Sequence, residues 1–447
     1  MRRTLTRAAL SVSPWRAAAG LWLGLVMLIG GCAVGPMSTS QRSSHAQIQA
    51  RGPAIPGSLS GERFFVAFGP MKASIMSGWK VEGFTAAYKL IGDFDWSKVE
   101  PSPGQFDFSA WKNDAALLQS EGIAAFPSLE FLYPPAWFIA AYPDALQQFP
   151  AAAYPSGVVG PELNAHCEGC RKDQPSISLA WLEEQAANHT AAWTQFTAYV
   201  TACLNAMASD PSVIGVSIPW MAFHGSEILG GWVAEQTTPS SVYLGTFNPA
   251  ALATWPGPGS PPATLTALEA GGTSLENEWQ SWTQQIEGKA FLQIADMIQQ
   301  ADPSYWIAVD KFVWIRQGQT DSVFALTEGL TETAFNDFYV YVQKFVSQTG
   351  DHRIVLDDDG LMDPSKIPNY ALTMSLIRPL GLQFMGESQP GPSGITGLLQ
   401  SVQTLHPNAV VFLPAPGGGG KWVLSAPAAT KILCLVKTTY RSETCTL

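Results

Sequence analysis

The chain has 447 residues, 46% of them hydrophobic and only 14% charged, and a formal net charge of −11. A balance this acidic argues against nucleic acid and against anionic membrane surfaces as partners. The length suits one large domain, because barrels of alternating strand and helix reach this size with insertions.

The first 16 positions hold Arg2, Arg3, Arg7 and Arg16, and an apolar run follows at 17–29. A basic stretch before an apolar run too short to span a bilayer comfortably reads as a secretory signal over 1–31. Without those four arginines the net charge is −15. The run ends in Ile29-Gly30-Gly31-Cys32, which resembles a bacterial lipobox. That resemblance implies lipidation at Cys32 and a membrane anchor on the bacterial cell envelope. Ala33 points to the outer membrane, facing the periplasm or the cell surface. Residues 32–59 then read as the lipidated cysteine and a tether rich in Ser, Gln, Pro and Gly. Residues 60–447 read as a single domain.

Short runs rich in Val, Ile and Phe alternate with helical segments along this domain, which predicts a parallel α/β fold. Eight strands are expected, at 63–68, 85–92, 123–131, 213–220, 305–312, 353–359, 382–388 and 409–416. Helices are expected at 109–122, 179–209, 274–301 and 330–350, the first and last ending on Gly. Eight strands with intervening helices predict a (β/α)₈ barrel. Two connections are long, 132–178 after strand 3 and 228–273 after strand 4. In a barrel, loops that follow the C-terminal strand ends border the active site.

Five cysteines remain beyond Cys32. Cys434 and Cys445 could close a short C-terminal loop. "HCEGC" at 166–170 has the spacing of half a zinc site, but no second half exists, so a structural metal is not expected. A bridge between Cys167 and Cys170, or from one of them to Cys203, is the simpler reading. No cofactor is expected either. There is no GxSxG, Walker loop or HExxH, and "PGGGGKW" at 416–422 lacks the Ser or Thr that a phosphate loop needs after its Lys.

The most informative stretch is "DFDWSKVEPSPGQFDFSAW" at 93–111, followed by "EGIAAFPSLEFLYPPAWF" at 121–138. Trp96, Ser97, Glu100, Pro101, Gly104, Phe106, Asp107 and Phe108, then Pro134, Pro135 and Trp137, resemble the strand 2 to strand 3 region of clan A-type (β/α)₈ glycoside hydrolases. They come closest to proteins related to family 42 β-galactosidases. The resemblance implies a barrel hydrolase acting on a carbohydrate, and it implies a structural rather than catalytic role for this segment. Clan A enzymes carry an acid/base after strand 4 and a nucleophile at the end of strand 7. Glu227 and Glu387 stand at those two places.

Glycoside hydrolysis needs two such carboxyls, one protonated near neutral pH and one ionised. Glu387 ends an apolar strand, beside Gly386. Glu227 follows Ser226, where the clan usually has an asparagine. The substrate-binding candidates near strand ends are Asp310, Asp357, His224, Trp137, Trp220, Trp314 and Trp422. Carboxylates bond vicinal hydroxyls and indoles stack on sugar rings. The reading is a two-glutamate retaining glycosidase. Its alternatives are an inverting β-amylase-like hydrolase and a non-catalytic glycan-binding surface lipoprotein.

Overall fold

The computed structural model describes residues 64–67, 86–90, 93–148, 176–218, 247–310, 331–358, 364–388, 395–412 and Cys434. All lie in the unit Arg51–Leu447. The signal, Cys32, the tether, "HCEGC" and residues 149–175 and 228–246 of the two long connections fall outside the described residues.

All eight expected strands are present: β1 Phe64–Ala67, β2 Ala86–Leu90, β3 Ala124–Pro127, β4 Gly215–Ile218, β5 Trp306–Asp310, β6 Ile354–Asp358, β7 Gln383–Ser388 and β8 Ala409–Phe412. They form one sheet in the order β3-β2-β1-β8-β7-β6-β5-β4. Every pairing along it is parallel. The two ends of that order also meet. Ala125 bridges Val213 and Ser128 bridges Ser217, and Ala125 N donates to Ser212 O at 2.8 Å, Ile214 N to Ala125 O at 2.9 Å and Leu129 N to Ser217 O at 3.0 Å. The fold is α/β, as the alternating pattern predicts.

A parallel sheet is buried on both faces, which is why its strands read as nearly unbroken apolar runs. The two faces feed two separate clusters. Ala87, Ala125, Val216, Ile218, Ile307, Val309, Ile354, Leu356, Phe384 and Val410 belong to the large core shared with the helices. Ala86, Tyr88, Phe126, Ile214, Trp306, Ala308, Val355, Met385, Ala409 and Val411 form the second cluster, on the opposite face of the strands. Gly215 is required where this second cluster is tightest. A Cβ there would lie 2.5 Å from Trp306 O and 2.6 Å from the Phe126 ring.

The helices follow local rules. Ser109–Glu121 and Glu332–Thr349 end on Gly122 and Gly350 in the left-handed region, where glycine carries no Cβ penalty. Thr331 caps the second by accepting from Ala334 N. The helix expected at 274–301 runs from Gly272 to Ala301.

Two expectations change. The segment 179–209 is two helices, Leu179–Ala187 and Ala191–Ala208. His189 takes φ +49° between them, and Thr190 starts the second helix by accepting from Trp193 N at 3.3 Å. Asn188, His189 and Thr190 offer local turn and cap bonds that compete with a continuous helix. A bridge from Cys203 to Cys167 or Cys170 is also ruled out: Cys203 is a free thiol, and burial pushes it well above the usual thiol range. Cys434 is disulfide-bonded, to a cysteine outside the described residues.

The segment quoted for its family resemblance is built around one carboxylate. Glu100 is 2% exposed. Its Oε2 accepts from Trp96 Nε1 at 2.7 Å and its Oε1 from Gly104 N at 2.8 Å. Its carbonyl accepts from Trp137 Nε1 at 2.9 Å. Trp96 in turn stacks on Tyr199 at 4.8 Å and packs against Phe138 and Phe196. The motif thus ties the loop after β2 to the helix after β3 and to helix Ala191–Ala208. Glu100→Ala leaves the buried Trp96 indole N–H without an acceptor and frees the exposed Gly104 N–H, and the expected loss is about 1–3 kcal/mol of folding stability in urea denaturation, against about 1 kcal/mol for Trp137→Phe.

Candidate active site

Strand alternation decides which residues meet at the C-terminal ends of the strands. On the face that carries Ala86, Ala308, Val355 and Met385, the next layer toward those ends turns polar. Tyr88 on β2, Ser217 on β4 and Asp357 on β6 are each 0% exposed. Tyr88 donates from its hydroxyl to Asp357 Oδ2 at 2.9 Å, and the same hydroxyl lies 3.4 Å from Ser217 Oγ. The Tyr88 ring is fixed edge-on to Phe126 at 5.3 Å. Ser128, just past β3, is also wholly buried, and its Oγ finds no partner among the described residues.

The expected site residues stand in relation to this layer. Glu387 is the fifth residue of β7, with Val411 as its Cα partner. It lies two positions past Met385, on the same face of the strand. Asp310 is the last residue of β5 and the Cα partner of Asp357. Asp310, Asp357 and Glu387 therefore occupy three consecutive strands at their C-terminal ends. Asp357 is enclosed and bonded to Tyr88. Trp137 is half-buried in helix Ala136–Ala141, with its indole committed to the Glu100 carbonyl. Glu227, His224, Trp220, Trp314 and Trp422 lie outside the described residues.

Tyr88 and Ser217 were not among the expected residues. A signal for them exists: each is a polar residue on the strand face whose neighbours are all apolar. Among the described residues no group of His, Cys, Asp and Glu has the arrangement to hold a metal ion.

A second pair of carboxyls stands just beyond β2. Asp93 hydrogen-bonds Asp114 of helix Ser109–Glu121. Burial pushes Asp93 up to about 7, the charge and hydrogen bond of Asp114 push the same way, and Lys98 pulls against them. Asp114 is also raised, by burial first, while its bond with Asp93 lowers it. Two carboxyls in contact hold one proton between them. Asp93 is thus protonated in the folded chain at a pH where the unfolded chain has lost that proton. Its contribution is complete below about pH 4 and is lost as pH rises toward about 7. Urea midpoints measured between pH 4 and 8 should fall over that window, and Asp114→Asn, which supplies an N–H donor that does not titrate, should flatten the fall.

Comparison with known proteins bears on this segment. The family model for β-galactosidase matches residues 80–153. β-Galactosidase BgaB from Geobacillus sp. (strain Y412MC61) is 39% identical over 56 residues, which is 12% of this chain and 8% of that protein. The bgaB β-galactosidase of Geobacillus kaustophilus gives the same figures. The matched stretch thus spans under a tenth of these curated relatives. Among solved structures, the catalytic domain of β-amylase from Paenibacillus polymyxa superposes with a TM-score of 0.56 at 13% identity, covering 79% of this chain and 92% of that one. The chain therefore resembles family 42 β-galactosidases in the segment that carries its sequence motif, and its α/β fold is like that of this β-amylase catalytic domain.

Proposed function

We propose that the chain is a glycoside hydrolase acting on the O-glycosidic bonds of a β-galactoside, on a closed (β/α)₈ barrel whose connections 132–178 and 228–273 border the substrate. The strand position of Glu387 carries this reading. It stands at the C-terminal end of a central parallel strand, beside a buried polar layer, where a barrel enzyme places its chemistry. The β3–β4 hydrogen bonds support closure, and the β-galactosidase match over residues 80–153 supports the substrate class.

In this mechanism Glu227 protonates the leaving oxygen and Glu387 attacks the anomeric carbon. Glu227 then takes a proton from the water that releases the sugar. The barrel must hold the two carboxyls at different affinities for a proton, one neutral and one ionised. With a 4-nitrophenyl β-galactoside, Glu227→Gln and Glu387→Gln should each lower kcat by about 10²–10⁴-fold with the fold intact. Full activity in either variant would sink the assignment. Proton NMR of the first product separates the two stereochemical outcomes: a retained anomer fits a nucleophilic Glu387, and an inverted one makes that residue a base that activates water.

The anchor at Cys32 is part of the same proposal, supported by the basic stretch, the apolar run and Ile29-Gly30-Gly31-Cys32. It places the enzyme on the bacterial cell envelope. Mass spectrometry should find acyl chains on Cys32, and Cys32→Ala should move the protein from the detergent phase to the aqueous phase on Triton X-114 partition.

A further inference from the structure

Helix Gly272–Ala301 is built with two unlike sides. Phe291, Ile294 and Ile298 on one side join the large core. On the other side Leu275, Glu278, Trp282, Ile286, Lys289 and Gln293 recur at helical spacing and form one stripe. Two clefts open along that stripe. The first, about 470 Å³, is lined by Trp255, Pro258, Ser260, Ser274 and Glu278 among others. The second, about 530 Å³, is bordered by Glu183, Glu184, Lys289, Gln293, Tyr341 and Lys344.

Thr254, Trp255 and Trp282 form the ridge between the clefts. Trp282 is buried and fixed, because its Nε1 donates to Thr254 Oγ1 at 2.9 Å. Trp255 meets it edge-on, with ring centroids 4.9 Å apart, and is itself only half-buried. Its Nε1 finds no acceptor, so packing rather than a hydrogen bond sets this ring in place. The chain around it is stiff. Residues 255–262 read "WPGPGSPP", and each proline fixes its φ. Gly257 allows the close approach, since a Cβ there would lie 2.6 Å from the Trp255 ring. An indole presented by a stiff loop loses little freedom when a flat partner stacks on it.

The chemistry of the lining selects that partner. Indole faces stack on sugar rings, and Glu278, Ser260 and Ser274 offer groups that bond sugar hydroxyls. Charge in the second cleft is mixed, with Glu183 Oε2 3.9 Å from Lys289 Nζ. Glu183, Glu184 and Glu278 outnumber Lys289 and Lys344 across both clefts, on a chain of net charge −11. Such a surface repels a polyanion. Ser274 to Gln293 spans about 28 Å of helix, a length that suits a linear chain rather than a single ring.

We propose that this outer side of helix Gly272–Ala301 is a surface site for a linear, neutral galactan, with Trp255 as its stacking platform. The choice of sugar rests on the reading of the chain as a β-galactoside hydrolase. The groups that hold the galactan include neither Glu227 nor Glu387.

The test is affinity electrophoresis of the full chain in gels with and without soluble β-1,4-galactan, in the Glu387→Gln background so that the polymer persists. Galactan should retard this chain. Trp255→Ala should weaken the retardation about tenfold, and Glu278→Gln should weaken it several-fold. Glu278→Gln keeps the side-chain shape and decides alone if Trp255→Ala fails to fold. Equal retardation in all the chains, or none in any, overturns the proposal. A chain that leaves 4-nitrophenyl β-galactoside intact yet is retarded through Trp255 loses the hydrolase reading and keeps the site. One that cleaves the galactoside without being retarded keeps the hydrolase reading and loses the site.

Discussion

Among the described residues the strands of the sheet are buried on both faces, and this constraint governs where polarity is tolerated there. The buried residues on the face shared with the helices are apolar, from Ala87 to Val410. On the other face polar groups meet one another, as Tyr88 meets Asp357. The change from Val355 to Asp357 within one strand marks the transition from apolar to polar packing. That step is two residues long because the side-chain period of a strand is two.

The same constraint explains what the family-like segment does. Glu100 is buried outside the sheet, and it is tolerated because two N–H donors close on its carboxylate. Its surroundings are aromatic: Phe94 packs on Trp111 at 5.1 Å, and Tyr199 reaches the Phe94 carbonyl at 2.6 Å. These contacts hold the loop after β2 and the helix after β3 as one piece at the C-terminal end of the sheet. The match to the β-galactosidase family model, residues 80–153, falls on this same segment.

The strands were legible in the sequence because burial on both faces leaves short apolar runs rich in Val, Ile and Phe. Glu387 was legible for the same reason, as a carboxylate closing the run "LQFMGE". The helix break at Asn188–Thr190 was not, because an amphipathic pattern continues on both sides of a single turn. Tyr88 and its partners were harder still. The tyrosine is 129 residues from Ser217 and 269 from Asp357, and no local pattern links positions brought together only when the sheet assembles. Asp93 and Asp114 lie close in sequence, but two aspartates in polar stretches read as solvated until burial is known.

Cys203 gives the molecule an internal reporter. Its thiol is enclosed in helix Ala191–Ala208, beside Tyr199, and burial favours the protonated form. The thiolate is the form that attacks alkylating reagents, so the enclosed group is inert twice over, by access and by protonation. Labelling of Cys203 can proceed only when this helix leaves the sheet. Its rate then measures how often the scaffold around Trp96 and Tyr199 opens, a quantity that global unfolding midpoints average away.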